Sequence, residues 1–244
     1  MVLLGDDPNP WTAWARREAC VAAIDGHRLA AALRSAPSID AALLRNLSFV
    51  VCDRVRGLTS QIERALMAPR PAKYYASLPI EIDFSAEASR GEAALRDRIY
   101  QFTMQRRAAG LIRASHLAHN LSRRDVDLIL AIADIRVFQE GVAILRQGAP
   151  GGDLLLVLDG KVGVYTADEL ICEVHEGSFV GEIAMLDGGT RSASVVSMGR
   201  SAVAFISAEP LHALMQRDSR FEATLLRNIL NRLADAIRQS DRPA

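Results

Sequence analysis

FVGEIAMLDGGTRSASV, residues 179–195, puts the groups suited to a phosphorylated sugar on one short turn of chain. Gly181 allows close approach of the backbone. The run Glu182-Ile183-Ala184-Met185-Leu186 makes one or two helical turns, whose first N–H groups have no acceptor inside the helix and favour an anion. A turn follows at Asp187-Gly188-Gly189-Thr190, after which Arg191 can swing back and offer its planar guanidinium to two phosphate oxygens. Ser192 and Ala193 are small enough to leave room, and the Glu182 carboxylate stands ready to accept from a ribose hydroxyl. The bland alternative is a surface ion pair between Glu182 and Arg191, an interaction of small energetic weight.

These residues resemble the phosphate-binding cassette of cyclic nucleotide-binding domains, whose pattern is Gly-Glu, two or three apolar residues, a turn, Arg-(Ala/Thr/Ser)-Ala and a strand. Gly181, Glu182, Ala184, Arg191, Ala193 and Val195 stand at its positions. Upstream, EGVAILRQGAPGGDLLLVLDGKVGVY (140–165), with glycines at 141, 148, 152 and 160, is similar to the family's series of strands and glycine turns. The resemblance covers about half the chain. It implies an α+β fold: a small β jelly-roll barrel with flanking helices and a long C-terminal helix, here preceded by a mostly helical N-terminal half.

The resemblance also implies a regulatory module, not an enzyme, that takes cAMP or cGMP as ligand, needs no cofactor and turns occupancy into movement of its C-terminal helix. Arg191, Ser192 and the N–H groups near Ile183 and Ala184 would hold the cyclic phosphate, and Glu182 the ribose. Val164, with Val157, Val162 and Val195, is expected on the apolar cavity wall, although a core role explains these valines as well. Asn228, Asn231 and Arg232 are candidate lid residues, or solvent-facing positions of an ordinary helix. In the family, alanine at the place of Ser192 goes with cAMP in kinase regulatory modules, threonine can bond phosphate and guanine, and serine occurs in bacterial cAMP-binding activators. Ser192 therefore leans toward cAMP and leaves cGMP open.

Composition narrows the rest. Among 244 residues, 29 Lys and Arg balance 29 Asp and Glu, so there is no global field for nucleic acid or acidic lipid. Cys20, Cys52 and Cys172 are odd in number and widely spaced, which reads as reduced, mostly buried thiols and not zinc ligands. His116 and His119 lie at helical spacing without a third ligand in view, and no metal site is expected. Trp11 and Trp14 read as packing residues. Gly-x-Ser-x-Gly, Walker and dinucleotide fingerprints are missing. No apolar run approaches a membrane span, and a cytoplasmic protein is expected. The family's transcription activators carry a helix-turn-helix domain after the C-terminal helix. With the chain ending at Ala244, direct nucleic-acid binding is not expected, and the partners would be the cyclic nucleotide, a second copy in a homodimer, or a larger effector protein.

An internal repeat reorganises the N-terminal part. Residues 21–56 laid on 203–238, an offset of 182, match at twelve of 36 positions without a gap, including Leu43-Leu44-Arg45-Asn46 on Leu225-Leu226-Arg227-Asn228. Residues 1–68 then read as a mostly helical segment resembling the C-terminal third of a degenerate module, with Asn9 opposite the phosphate arginine. Two alanine-rich amphipathic helices can also look alike by chance. Residues 69–120 read as a proline-bearing linker (69–90) and amphipathic helices whose apolar face carries Ala94, Leu95, Ile99, Phe102, Leu111 and Ile112, with Arg106, Arg107 and Arg113 on the wet face. The binding domain is placed at 121–244. It opens with a capping box at Ser122 and Asp125, has a two-residue hairpin signal at Asp159-Gly160, and closes with a helix over about 209–239 that has a break expected near Asp218. A scaffold that binds no nucleotide and a regulatory piece of a larger enzyme or transporter are the competing readings.

Overall fold

The computed structural model describes residues 26–66 and 92–240. The stretch 69–90, Trp11, Trp14 and Cys20 lie outside the described residues. Among the described residues, eight strands, β1 (Ala133–Phe138), β2 (Ala143–Leu145), β3 (Leu154–Asp159), β4 (Lys161–Thr166), β5 (Glu169–His175), β6 (Phe179–Val180), β7 (Ser194–Ser197) and β8 (Ser201–Ile206), divide into two antiparallel sheets. Their orders are β1-β8-β3-β6 and β2-β7-β4-β5, the two-sheet form of a jelly roll.

β3 reads Leu-Leu-Leu-Val-Leu-Asp with no polar alternation because both of its faces are covered. Leu155 and Val157 point between the sheets, where they pack with Val162, Val174, Val180, Val195, Val203 and Phe205. Leu154, Leu156 and Leu158 belong to the helix-covered core with Ala202, Ala204 and Ile206 of β8. That outer face receives α3 (Glu92–Ala114), α4 (Arg123–Ile132), α6 (Ala208–Arg217) and α7 (Ser219–Ser240). The capping box is formed: Ser122 Oγ accepts from Asp125 N–H, and Asp125 accepts from Ser122 N–H at 2.8 Å. The expected break also occurs, since Asp218 Oδ1 accepts from the N–H groups of Arg220 and Phe221 and starts α7.

The N-terminal helices repeat the C-terminal ones. α1 (Gly26–Ser35) and α2 (Pro37–Leu66) are separated by Ala36. Adding 182 to the bounds of α1 and to the start of α2 gives the bounds of α6 and the start of α7. α2 lies against α7, and Ala41, Leu44, Val51 and Cys52 share one core with Leu226, Leu230 and Leu233. Along α2, the buried Ala41, Leu44, Ser48 and Val51 continue to the half-buried Val55 at alternating three- and four-residue steps, and Ala223, Leu226, Leu230, Leu233 and Ile237 do the same on α7 at the same offset. This is the seam of a two-stranded coiled coil. Its flanks carry two crossed ion pairs, Asp40 with Arg227 at 2.7 Å and Arg45 with Glu222 at 2.6 Å, which the offset exchanges for one another. The pair runs parallel: Thr59 of α2 and Asp235 of α7 border one cavity, whereas antiparallel helices with these ion pairs would hold them about 40 Å apart at 1.5 Å per residue.

Three expectations are corrected. Asp159-Gly160 is no hairpin loop, because β3 and β4 lie in different sheets. Gly160, at φ +78, turns the corner between them, and a Cβ there would meet Arg200 O at 2.6 Å. The two-residue hairpin joins β4 to β5 at Ala167-Asp168, both with positive φ. On α3, Ile99 and Phe102 are exposed, and the buried face is Met104, Ala108 and Ile112. Arg106, Arg107 and Arg113 do face solvent. Cys52 is buried as expected, but Cys172 is exposed.

Candidate functional site

β6 ends at Val180, and the chain turns through Gly181 (φ +87) into the short helix α5 (Glu182–Asp187). A side chain at Gly181 would be strained at that φ, and its Cβ would also stand 2.8 Å from Asp153 O and 2.9 Å from Arg191 Nη1. The glycine is what lets the arginine lie under the start of α5. Gly188, at φ +67, closes the helix, with its N–H donating to Ala184 O at 3.0 Å.

The chain returns through Arg191, whose backbone is bracketed by the loop after β2. Gly148 N–H donates to Arg191 O, and Arg191 N–H donates to Ala149 O, each at 2.9 Å. Its side chain is 5% exposed and donates through Nη1 to Asp153 O at 2.9 Å and Gly181 O at 3.2 Å. No ion pair links it to Glu182 or to any other carboxylate among the described residues, so the surface ion-pair alternative does not describe this arrangement. Burial pulls the guanidinium below its usual range, while Asp153 and Glu182 partly offset that. Burial likewise pushes the Glu182 carboxyl up, against a bond from its own backbone N–H and the attraction of Arg232 and Arg191.

One cavity of about 700 Å³ collects these groups, a size that suits a nucleotide. Gly181, Glu182, Ile183, Ala184, Arg191, Ser192, Ala193, Val164, Asn228 and Arg232 all border it. Val195 joins them, whereas Val157 and Val162 belong to the packing between the sheets. Asn228 is committed elsewhere: its Nδ2 donates to Leu117 O at 2.8 Å and His119 O at 2.7 Å, tying α7 to the 3₁₀ turn His116–Ala118. Arg232 donates to Phe179 O at 3.2 Å and stacks over the Phe179 ring at 5.2 Å from its centre. Asn231 and Thr166 border this cavity, and Asn231 Oδ1 and Thr166 Oγ1, both shielded from solvent, find no partner among the described residues. His116 and His119 border the cavity too, and no metal-binding cluster occurs among the described residues.

Sequence reasoning missed Thr166 and the α2 residues Val55, Thr59 and Ile62, which border the same cavity. The 182-residue offset marked α2 as a counterpart of α7 but carried no signal that places it, or Thr166, at this cavity.

The profile of the cyclic nucleotide-binding domain covers residues 135–218, from β1 to the end of α6 and across the whole turn 181–191. Residues 135–218 belong to the cyclic nucleotide-binding domain family. A cyclic AMP receptor protein of Thermus thermophilus is 30% identical over 135 residues, 53% of this chain and 61% of that protein. A cGMP-dependent protein kinase of Plasmodium berghei is 31% identical over 121 residues, 50% of this chain and 13% of that one. Among solved structures, a cyclic nucleotide-binding domain from Methylobacillus flagellatus is 25% identical with a TM-score of 0.49, covering 57% of this chain and 80% of its own. The chain thus spans less than two thirds of the length of these two relatives. α2 lies outside the residues that the domain profile covers. Among the described residues, no helix is long and apolar enough to cross a membrane.

Proposed function

We propose that this chain is a regulatory sensor that binds a cyclic nucleotide, cAMP in preference to cGMP, and passes occupancy to α7. The observation that carries the reading is Arg191: a buried cation with no bonded carboxylate, beside a half-buried glutamate, in a cavity of nucleotide size. A cyclic phosphate supplies the missing anion, accepting from the guanidinium and from the first N–H groups of α5. The ribose hydroxyl donates to Glu182. The base then extends toward α7, where Asn231 Oδ1 lacks a donor and, shielded as it stands, meets the base after a turn of its amide. The 6-amino group of adenine provides one, and guanine offers an acceptor at that position. This supports cAMP, as does Ser192.

Coupling follows from position. Arg232 and Asn231 of α7 border the cavity, so a ligand favours whichever placement of α7 gives it more contacts. No catalytic step is assigned: the site's acid and arginine are used in binding, and the output is passed to another domain or chain. Displacement titrations with cAMP and cGMP test the preference. The reading expects cAMP to bind about tenfold or more tightly, with the gap closing in Asn231→Ala. Equal affinities in the parent would remove the cAMP assignment.

A further inference from the structure

Part of the cavity wall comes from a helix that the domain profile does not reach. Val55, Thr59 and Ile62 of α2 border the cavity. Just beside them, Arg56 reaches over the phosphate turn. Its Nε donates to Asp187 Oδ2 at 2.6 Å and its Nη2 to Asp187 Oδ1 at 2.9 Å, a bidentate fork. Nη2 also donates to Thr190 O at 2.9 Å, the carbonyl directly before Arg191. Gly189 leaves the space for this, since a Cβ there would lie 2.6 Å from Arg56 Nη2. Two further contacts bind α2 to the same region: Cys52 Sγ lies 3.9 Å from Ile183 O, and Gln147, in the loop that brackets Arg191, donates to Glu63. The fork strengthens Arg56 as a cation and holds the Asp187 carboxyl below its usual range.

Resting on the sensor reading above, we propose that α2 is part of the nucleotide site and that Arg56 is a positioning residue for its phosphate turn. Arg56 touches no ligand. It fixes the end of α5 at Asp187 and the carbonyl of Thr190, so the turn that carries Arg191 is held in the geometry the phosphate needs. The coiled coil with α7 sets the height of α2, and the same docking that buries the seam brings Arg56 to the turn. Ligand binding and α2 docking therefore favour one another, and lifting α2 lowers affinity at a site 131 residues away in sequence.

The test titrates cAMP and cGMP into the full chain, Arg56→Gln and Arg56→Lys, with ligand-free melting temperatures measured alongside. Arg56→Gln should weaken nucleotide binding about tenfold or more, and Arg56→Lys, which keeps the charge but loses the fork, should recover only a part of it. Ligand-free melting of both variants should stay close to the parent. Parent-like affinity in Arg56→Gln would overturn the proposal. So would equal losses in both variants that merely track a lowered ligand-free melting temperature, which is the signature of a structural role alone. A folded parent that binds neither nucleotide would bring down the sensor reading first, and the parent titration alone reveals that.

Discussion

At the residue scale, the site depends on two groups that the fold keeps away from their relaxed states. Gly181 is the clearer case. Its φ of +87 and the 2.8 Å approach to Asp153 O leave no room for a Cβ, and Gly181→Ala should cost about 1–2 kcal/mol or more of stability and displace the Arg191 guanidinium. Denaturant unfolding and nucleotide titration of that variant measure both effects. Glu182 gives a pH prediction. Burial raises its carboxyl above the ordinary 4.5, so between 4.5 and the raised value the folded state holds a proton that the unfolded state has released. This contribution is favourable to folding at and below 4.5 and is lost as pH rises through the raised value. Binding runs the other way, because a ribose hydroxyl needs an ionised acceptor. Nucleotide affinity should weaken as pH falls through the raised value, and Glu182→Gln should flatten that dependence. Titrations at stepped pH decide it, and an unchanged slope in the variant would contradict the role given to Glu182. Gly181, Glu182 and Arg191 were legible because residue type and order are enough to specify them. Asn228 was not, because its amide is spent on the carbonyls of Leu117 and His119, a tertiary fact with no local pattern.

At the scale of elements, the α2–α7 pair is the largest helix contact that involves residues outside the matched domain. Leu230 is fully buried at the seam, so Leu230→Ala should lose about 2–5 kcal/mol in denaturant unfolding. The crossed ion pairs test the register separately. Arg45 is exposed and Glu222 is not, so Arg45→Glu sets a like charge against a buried carboxylate and should lower the melting temperature. Arg45→Glu combined with Glu222→Arg should restore it if the two side chains face each other as described. The repeated helices were readable from a gapless offset, and the strands from apolar runs cut by glycine. The Asp159-Gly160 turn misled because an Asp-Gly pair signals a reversal without saying whether the next strand pairs with the last. Here β3 and β4 part into different sheets. Ile99 and Phe102 misled in a related way, since tertiary packing buries Met104 and Ala108 together with the expected Ile112 and leaves those two outside.

At the scale of the molecule, a jelly roll supplies the phosphate turn, α7 closes one side of the cavity, and α2 closes another. α7 is buried or half-buried from Phe221 to Ala234 because it is packed between the sheet core and α2. A ligand in the cavity touches both helices and the turn, so it should stabilise them together. At a hundredfold excess over its dissociation constant, it would add about 2.7 kcal/mol to unfolding. The most direct check is calorimetric titration of cAMP and cGMP into the full chain, with Arg191→Ala run in parallel. Saturable one-to-one binding by the parent that disappears in Arg191→Ala is the predicted result. A folded parent that takes up no heat from either nucleotide, or a variant that binds as tightly as the parent, would contradict the account.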